Sequence, residues 1–206
     1  MTSLDKRIGT TDELMSPDDT AFLLIDYQPT QINSINSMDR AQLVKNIVLT
    51  TKLVAAYDIP IILSTVNVAS GQNQDTVPQL KEVLPGVKSY DRTSINAWED
   101  KDFLQAVKDT KRHKLIIAAL WTEACLTFPT LDALKEGYQV FPVVDAVGGT
   151  STIAHETALR RVENAGAQLT TIAQLACELQ RDWNRKETVP AFVQTMLDAG
   201  IFLKLS

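Results

Sequence analysis

Histidine is nearly missing from this chain: only His113 and His155 occur. That scarcity removes most zinc-site and histidine-triad chemistries, which need clustered imidazoles or one set beside a nucleophile. Cysteine is as rare, with Cys125 and Cys177 alone, and two thiols in a reducing compartment stay free rather than pair. There is no cluster of lysine and arginine and the net charge is −5, which argues against nucleic acid or an anionic membrane as a partner. No apolar run approaches the roughly 20 residues that cross a bilayer. The opening MTSLDKRIGTTDELMSPDD has no apolar core of a secretion signal, so a cytoplasmic protein is expected. Gly148-Gly149 fits no phosphate-cradling motif, neither GxGxxG nor the P-loop pattern. Internal repeats and low-complexity tracts are also absent.

What is present is the material of a folded α/β domain. With 206 residues and 45% apolar content, the chain can bury a full core. Residues 1–19 are expected to form a mobile or loosely packed arm, and 20–206 a single domain. Continuous apolar runs of strand length occur at Ala21–Ile25, Pro60–Thr65, Leu115–Leu120 and Gln139–Val144. Val87–Arg92 reads as a short strand or extended run and Ala167–Ile172 as the last strand, and Pro142 hints at a strand end or an irregularity. Unbroken apolarity suits strands buried on both faces of a parallel sheet. Helical spacing recurs between them: from a cap at Asp39 to about Tyr57, at Glu99–Thr110, after Cys125, at Ser151–Ala165, Leu175–Trp183 and Val189–Ala199. Such alternation implies right-handed βαβ units and a three-layer α/β/α sandwich. The C-terminal AFVQTMLDAGIFLKLS is apolar enough to pack on a neighbouring copy or to finish the domain.

The stretch KLIIAALWTEACLTFPT, 114–130, draws attention first. It reads as a buried strand, a sharp turn and a helix whose first turn carries Cys125. A helix start favours negative charge and can lower a thiol from about 8.5 toward roughly 3.5–7.5, so an activated thiolate is expected. Asp26 ends the first strand and Arg92 precedes the loop Thr93–Trp98. If the first and fourth strands meet at the topological switch point, Asp26 and Cys125 face one crevice. A carboxylate there can act as base for a thiol, a guanidinium can steady both, and turn amides can hold an oxyanion. Together these parts point to acyl transfer through a thioester, with water as second nucleophile.

The residues that carry a family likeness are LLIDYQ around Asp26, DRTSINAWEDKDF, LIIAALWTEACLTFPTLDALKEGYQVFPVVDA, ALRRVENAGAQL and LACELQRDW. With them the chain resembles the isochorismatase-like, or cysteine hydrolase, superfamily, nearest its YcaC-like branch. The resemblance covers residues 20–185. It implies a Rossmann-like sandwich with a six-stranded parallel sheet and a triad, carried over here to Asp26, Arg92 and Cys125. Most of the superfamily has lysine as the cation; arginine keeps the charge without shuttling a proton, and Lys88 is the reserve. The resemblance further implies a cis Leu120–Trp121 peptide that aims the Trp121 and Cys125 amides at one oxygen. It implies no cofactor, and a homo-oligomer that in YcaC-like members reaches the size of an octamer. Nicotinamidases of this fold carry a metal site after the second strand, but 66–76 holds no histidine, so no metal is expected. The reading is a hydrolase of a small amide, carbamoyl or related C–N substrate, with Tyr27, Asn67, Trp98 and Trp121 as substrate contacts. Its rivals are a non-catalytic scaffold and a thiol-based redox or electrophile sensor on the same fold. Cys177, beside Leu175, Ala176 and Leu179, is expected in the core, and Trp98 and Trp183 are alternative interface residues. Asp145 is a candidate for support of the site, Glu123 for packing or an ion pair, and His113 and His155 for solvated or structural positions.

Overall fold

The computed structural model describes residues 3–4 and 6–202. Five strands form one parallel sheet: β1 (Thr20–Ile25), β2 (Ile61–Val66), β3 (Ser89–Arg92), β4 (Lys114–Ala119) and β5 (Gln139–Pro142), in the order β3-β2-β1-β4-β5. Every residue of β1 and β4 is buried, which is why these runs are apolar without alternation. The walk along the sheet reverses between them, so β1 and β4 flank the switch point. Their register pairs Ile25 with Ala119. The residues that follow, Asp26 and Leu120, therefore leave the sheet side by side.

Among the described residues, eight α-helices connect and cover the strands: α1 (Pro29–Asn33), α2 (Arg40–Ala56), α3 (Pro78–Lys81), α4 (Lys101–Asp109), α5 (Thr127–Lys135), α6 (Thr152–Asn164), α7 (Ile172–Gln180) and α8 (Val189–Asp198). Side-chain caps start four of them: Asp39 accepts from Gln42 N, Asp100 from Phe103 N, Ser151 from Ala154 N and Thr171 from Gln174 N. Each satisfies an amide that the helix itself leaves unpaired. Helix α2 packs with α7 and α8, and α5 with α6. In the C-terminal segment Phe192 and Met196 are buried, and Phe202 meets the Phe192 ring edge-on at 6.0 Å. The last part of that segment, 203–206, lies outside the described residues.

Three expectations are corrected. The sheet has five strands, not six. Residues 167–172 run beside β5 and bond to it through Gln168 N to Val140 O, Thr170 N to Pro142 O and Val144 N to Thr170 O, but only Val143 and Thr170 form a bridge. Positions 140, 142 and 144 face that edge, and proline at 142 has no N–H to give, so the ladder is broken there. The arm is not loosely held in its second half. Asp12, Met15, Ser16 and Asp19 are buried, fastened by the Lys114 ammonium, which donates to the carbonyls of Gly9, Asp12 and Leu14. Cys177 is exposed rather than in the core, because the buried stripe of α7 runs through Leu175, Ala176 and Leu179 and leaves 177 to its side.

Candidate active site

Asp26 follows the last residue of β1 with φ 62°, a left-handed conformation uncommon for a residue with a side chain. Its amide still donates to Ser64 O of the neighbouring strand at 3.0 Å, so the turn away from the sheet happens at this residue. Arg92 ends β3 two strands away and reaches across β2. Its Nη1 and Nη2 donate to Asp26 Oδ1 and Oδ2, both at 2.7 Å. Nη1 also donates to Ser64 Oγ and Thr65 O, and Nη2 to Ile95 O. Both charged side chains have no solvent exposure. The planar fork matches a carboxylate in a way a lysine ammonium does not. Burial works against the charge on Arg92, but the hydrogen bonds and charge of Asp26 outweigh it and raise its pKa.

Cys125 sits where two kinds of helix join. Thr122–Leu126 form a wide π-turn that runs directly into α5. The Trp121 carbonyl closes the turn by accepting from Ala124 N and Leu126 N at 3.1 and 3.2 Å. The Leu120–Trp121 peptide before it is cis. The sulfur lies in the crevice with Asp26 and Arg92. Burial comes first among the influences on it, followed by the charge of Asp26 and a hydrogen bond to that carboxylate; together they push the thiol pKa well up. Arg92 and the Trp121 N–H pull the other way and lose. Burial and the charge of Asp26 thus work against the thiolate that a helix start alone would favour.

The other expected site residues divide. Trp121 is half-buried beside the nucleophile turn, its indole N–H donating to Ser34 Oγ at 2.6 Å. Asn67, at φ 61°, joins the ends of β2 and β3 by donating its N–H to Arg92 O at 2.8 Å. Tyr27 is wholly buried and its hydroxyl donates to Ala146 O at 2.6 Å, so it braces the crevice from behind. Trp98 turns toward the far end of α5, donating to Glu136 and packing edge-on against Tyr138. Lys88 is exposed over the Tyr90 ring, which leaves the cation role with Arg92. Asp145 accepts from Ile172 N and so holds the start of α7. Glu123 accepts from the Thr150 amide and hydroxyl. His113 is bonded to Asp19, and Trp183 is 61% exposed.

Ser64 was not singled out from the sequence, yet its hydroxyl stands between Arg92 and Tyr90 O. The signal was a polar pair, Ser64-Thr65, ending an otherwise apolar strand. A hollow of about 1010 Å³ is an open groove along α2 lined by Val44, Val48, Leu49, Val83, Arg40 and Lys45. It contains none of Asp26, Arg92 and Cys125, so size does not locate the chemistry here. Among the described residues, no group of three or more His, Cys, Asp and Glu side chains is arranged to hold a metal ion, and no helix is long and apolar enough to cross a membrane.

The isochorismatase domain family matches residues 20–174. The chain is 38% identical over 170 residues to the probable hydrolase YcaC of Escherichia coli K12, covering 82% of this chain and 81% of that protein. The crystal structure of Escherichia coli YcaC, described as an octameric hydrolase of unknown specificity, superposes with a TM-score of 0.85 at 34% identity over 91% of each chain. YcaC from Pseudomonas aeruginosa gives 0.86 at 34% identity, over 92% of this chain and 93% of that one. A Bacillus subtilis nicotinamidase shares the fold alone, at 18% identity and a TM-score of 0.63 over 74% of this chain and 99% of that one. A sheet reversing at β1 and β4, with a family match that runs through both strands and the turn behind them, makes this chain a member of the isochorismatase family and one of its hydrolases.

Proposed function

We propose that this hydrolase cleaves a small amide, carbamoyl or related C–N substrate through a thioester on Cys125, with Asp26 as base and Arg92 as electrostatic partner. The observation that carries the reading is the closed group itself: the Cys125 thiol, the Asp26 carboxyl group beside it, and a guanidinium that holds both carboxyl oxygens. As Sγ attacks the carbonyl carbon, its proton passes to Asp26, whose remaining lone pairs stay available after Arg92 is bonded. The oxyanion is held by the Trp121 and Cys125 amides. The C–N bond then breaks, and Asp26 returns the proton to the leaving nitrogen. Water attacks the thioester, Asp26 takes its proton, and the acid departs as the thiol reforms. Arg92 keeps its own proton throughout and orients Asp26.

Asn67 and Trp121 remain the substrate contacts. Cys125 is only 7% exposed, which favours a small substrate. A buried thiol is the opposite of what a redox or electrophile sensor uses, an exposed low-pKa thiolate, so hydrolysis is favoured over sensing. The Pseudomonas aeruginosa relative carries covalent acrylamide, in keeping with a nucleophilic side chain in such folds, a role we give here to Cys125. The octamer formed by the Escherichia coli relative supports a homo-oligomer, and Ile153 and Trp183, 71% and 61% exposed, suit a contact between copies; a cytoplasmic location goes with this reading.

A panel of amides, ureas and N-carbamoyl compounds, with trapped adducts read by intact mass, tests the proposal. Acyl mass on Cys125 and its loss in Cys125→Ala are expected. Full hydrolysis by Cys125→Ala would overturn the thioester route.

A further inference from the structure

The cis peptide and the nucleophile are separated by only three residues, Thr122, Glu123 and Ala124. The two amides assigned to the oxyanion, those of Trp121 and Cys125, flank that short span. It is gripped from outside by the segment that leads into α6. Thr122 N donates to Gly148 O at 2.9 Å. The Thr122 hydroxyl and His155 Nδ1 share a hydrogen bond at 2.8 Å. Glu123 Oε1 accepts from Thr150 N at 3.0 Å and from Thr150 Oγ1 at 2.5 Å. From the other side, Thr127 Oγ1 donates to Thr122 O at 2.6 Å.

The fit leaves no slack. A Cβ on Gly149 would come 2.7 Å from Glu123 Oε2 and 3.1 Å from His155 Cα, and one on Gly148 would come 2.8 Å from Ile35 Cγ2. Both glycines are required by close approach, not by a turn. Thr122 is fully buried, so its hydroxyl depends on His155 for a partner. This is more hydrogen bonding than a surface turn needs, and it is concentrated on the residues between the two oxyanion amides.

We propose that Thr122 with His155, and Glu123 with Thr150, form a positioning clamp that fixes the direction of the Trp121 and Cys125 amides for acyl transfer without touching the substrate. The inference rests on the thioester reading above. Oxyanion donors act only when their direction is set in advance, and a misplacement of about 1 Å can cost about 10²-fold in rate. A π-turn spanning five residues has more ways to relax than an α-turn, and the clamp removes them.

Two reactions of the same sulfur separate positioning from general damage. With p-nitrophenyl acetate, the Sγ–C bond forms at the acetyl carbon, the thiol proton goes to Asp26 and p-nitrophenolate leaves, through an oxyanion. With iodoacetamide, the Sγ–C bond forms as iodide leaves and the thiol proton again goes to Asp26, with no oxyanion. Both are followed on the full-length protein by the mass of the Cys125 peptide, which keeps exposed Cys177 out of the reading. Thr122→Val removes the hydroxyl at nearly constant volume, and His155→Leu removes its partner. Each is expected to slow acetylation about 10–100-fold while alkylation stays within about two-fold. Thr122→Ser and His155→Asn, which keep a bonding group in place, should recover most of the loss. Equal slowing of both reactions, or unchanged acetylation, would overturn the clamp. Should Thr122→Val not fold, as read by circular dichroism, His155→Leu and its asparagine rescue carry the same test. A native protein that takes no acetyl group on Cys125 would instead remove the thioester reading, and the clamp with it.

Discussion

Among the described residues, two buried cations, Arg92 and Lys114, stand at opposite ends of the same sheet. Arg92 ends β3 at the carboxyl edge, and Lys114 begins β4 at the amino edge; they are 3% and 0% exposed. Arg92 grips one carboxylate bidentately, with the thiol of Cys125 beside it. Lys114 spends its donors on three main-chain carbonyls of the arm, with Asp19 only at 3.9 Å. A planar fork suits the first task and a compact ammonium with rotatable donors suits the second. The difference in partner decides the difference in role: one cation shapes an electrostatic site, the other fastens a segment. Parallel sheets place chemistry at the carboxyl edge, and the amino edge is left for closure.

The comparison breaks most sharply if the carboxyl edge carries no chemistry. Cys125→Ala should lower hydrolysis of any amide that acylates the enzyme by about three orders of magnitude or more, while thermal unfolding shows a folded protein. Arg92→Lys keeps the charge but loses the fork, and kcat should fall about 10²-fold in steady-state assays. Lys114→Arg, by contrast, should leave kcat of the folded protein unchanged.

The state of the thiol is the next test. Cys125 is buried with its pKa pushed up, whereas Cys177 is exposed. At pH 7 iodoacetamide should therefore label Cys177 at least about ten-fold faster, and labelling of Cys125 should climb with pH without levelling off below about 8.5. A plateau near neutrality, seen by peptide mass, would restore the standing thiolate and shift the first step away from Asp26.

At the amino edge the expected effects are on stability. Lys114→Met leaves the three arm carbonyls without their donor and should cost about 3 kcal/mol in denaturant unfolding, with turnover per folded molecule unchanged. Loss of activity without loss of stability would erase the contrast between the two edges.

The smallest effect concerns Asp12. Burial raises its pKa, but hydrogen bonds from Arg181 and Arg7 outweigh burial and hold the carboxyl at about 2. A lowered carboxylate contributes stability that is full above its unfolded pKa of about 3.9 and is lost as pH falls through the folded one. Hydrogen exchange at the Leu14 and Met15 amides, bonded to Asp12 and Glu178, should accelerate beyond its intrinsic rate as pH falls from about 4 toward about 2. Asp12→Asn should remove that dependence.

The alternation of strands and helices was legible because β1 and β4 are buried on both faces and so carry unbroken apolar runs. The ends of those runs placed Asp26 and Cys125 at strand ends, and the pairing of β1 with β4 brought them together. The sixth strand was not legible as a failure, since Ala167–Ile172 has strand composition and only the missing N–H of Pro142, on the edge facing it, breaks the ladder. Cys177 was misjudged from its apolar neighbours; a helical stripe covers about a third of the circumference, and the position just outside it can have the same neighbours in sequence. The docking of the arm was hidden for a different reason. Lys114 finds its partners about a hundred residues earlier in the chain, and no local pattern records a contact of that range.

By itself the sequence determined the alternation of strands and helices along the chain, the apolar runs that bury the strands, and which reactive side chains would stand at strand ends. Those are properties of short segments, set by periodicity and by the stereochemistry of βαβ connections. Only the tertiary structure decided the surroundings of Cys125, the task of each aromatic side chain and the grip of Gly148–His155 on the nucleophile turn. Each depends on distances between segments far apart in the chain: burial and charge act through space, and a carboxylate from another strand folded against a thiol works against the activation that a helix start alone would give.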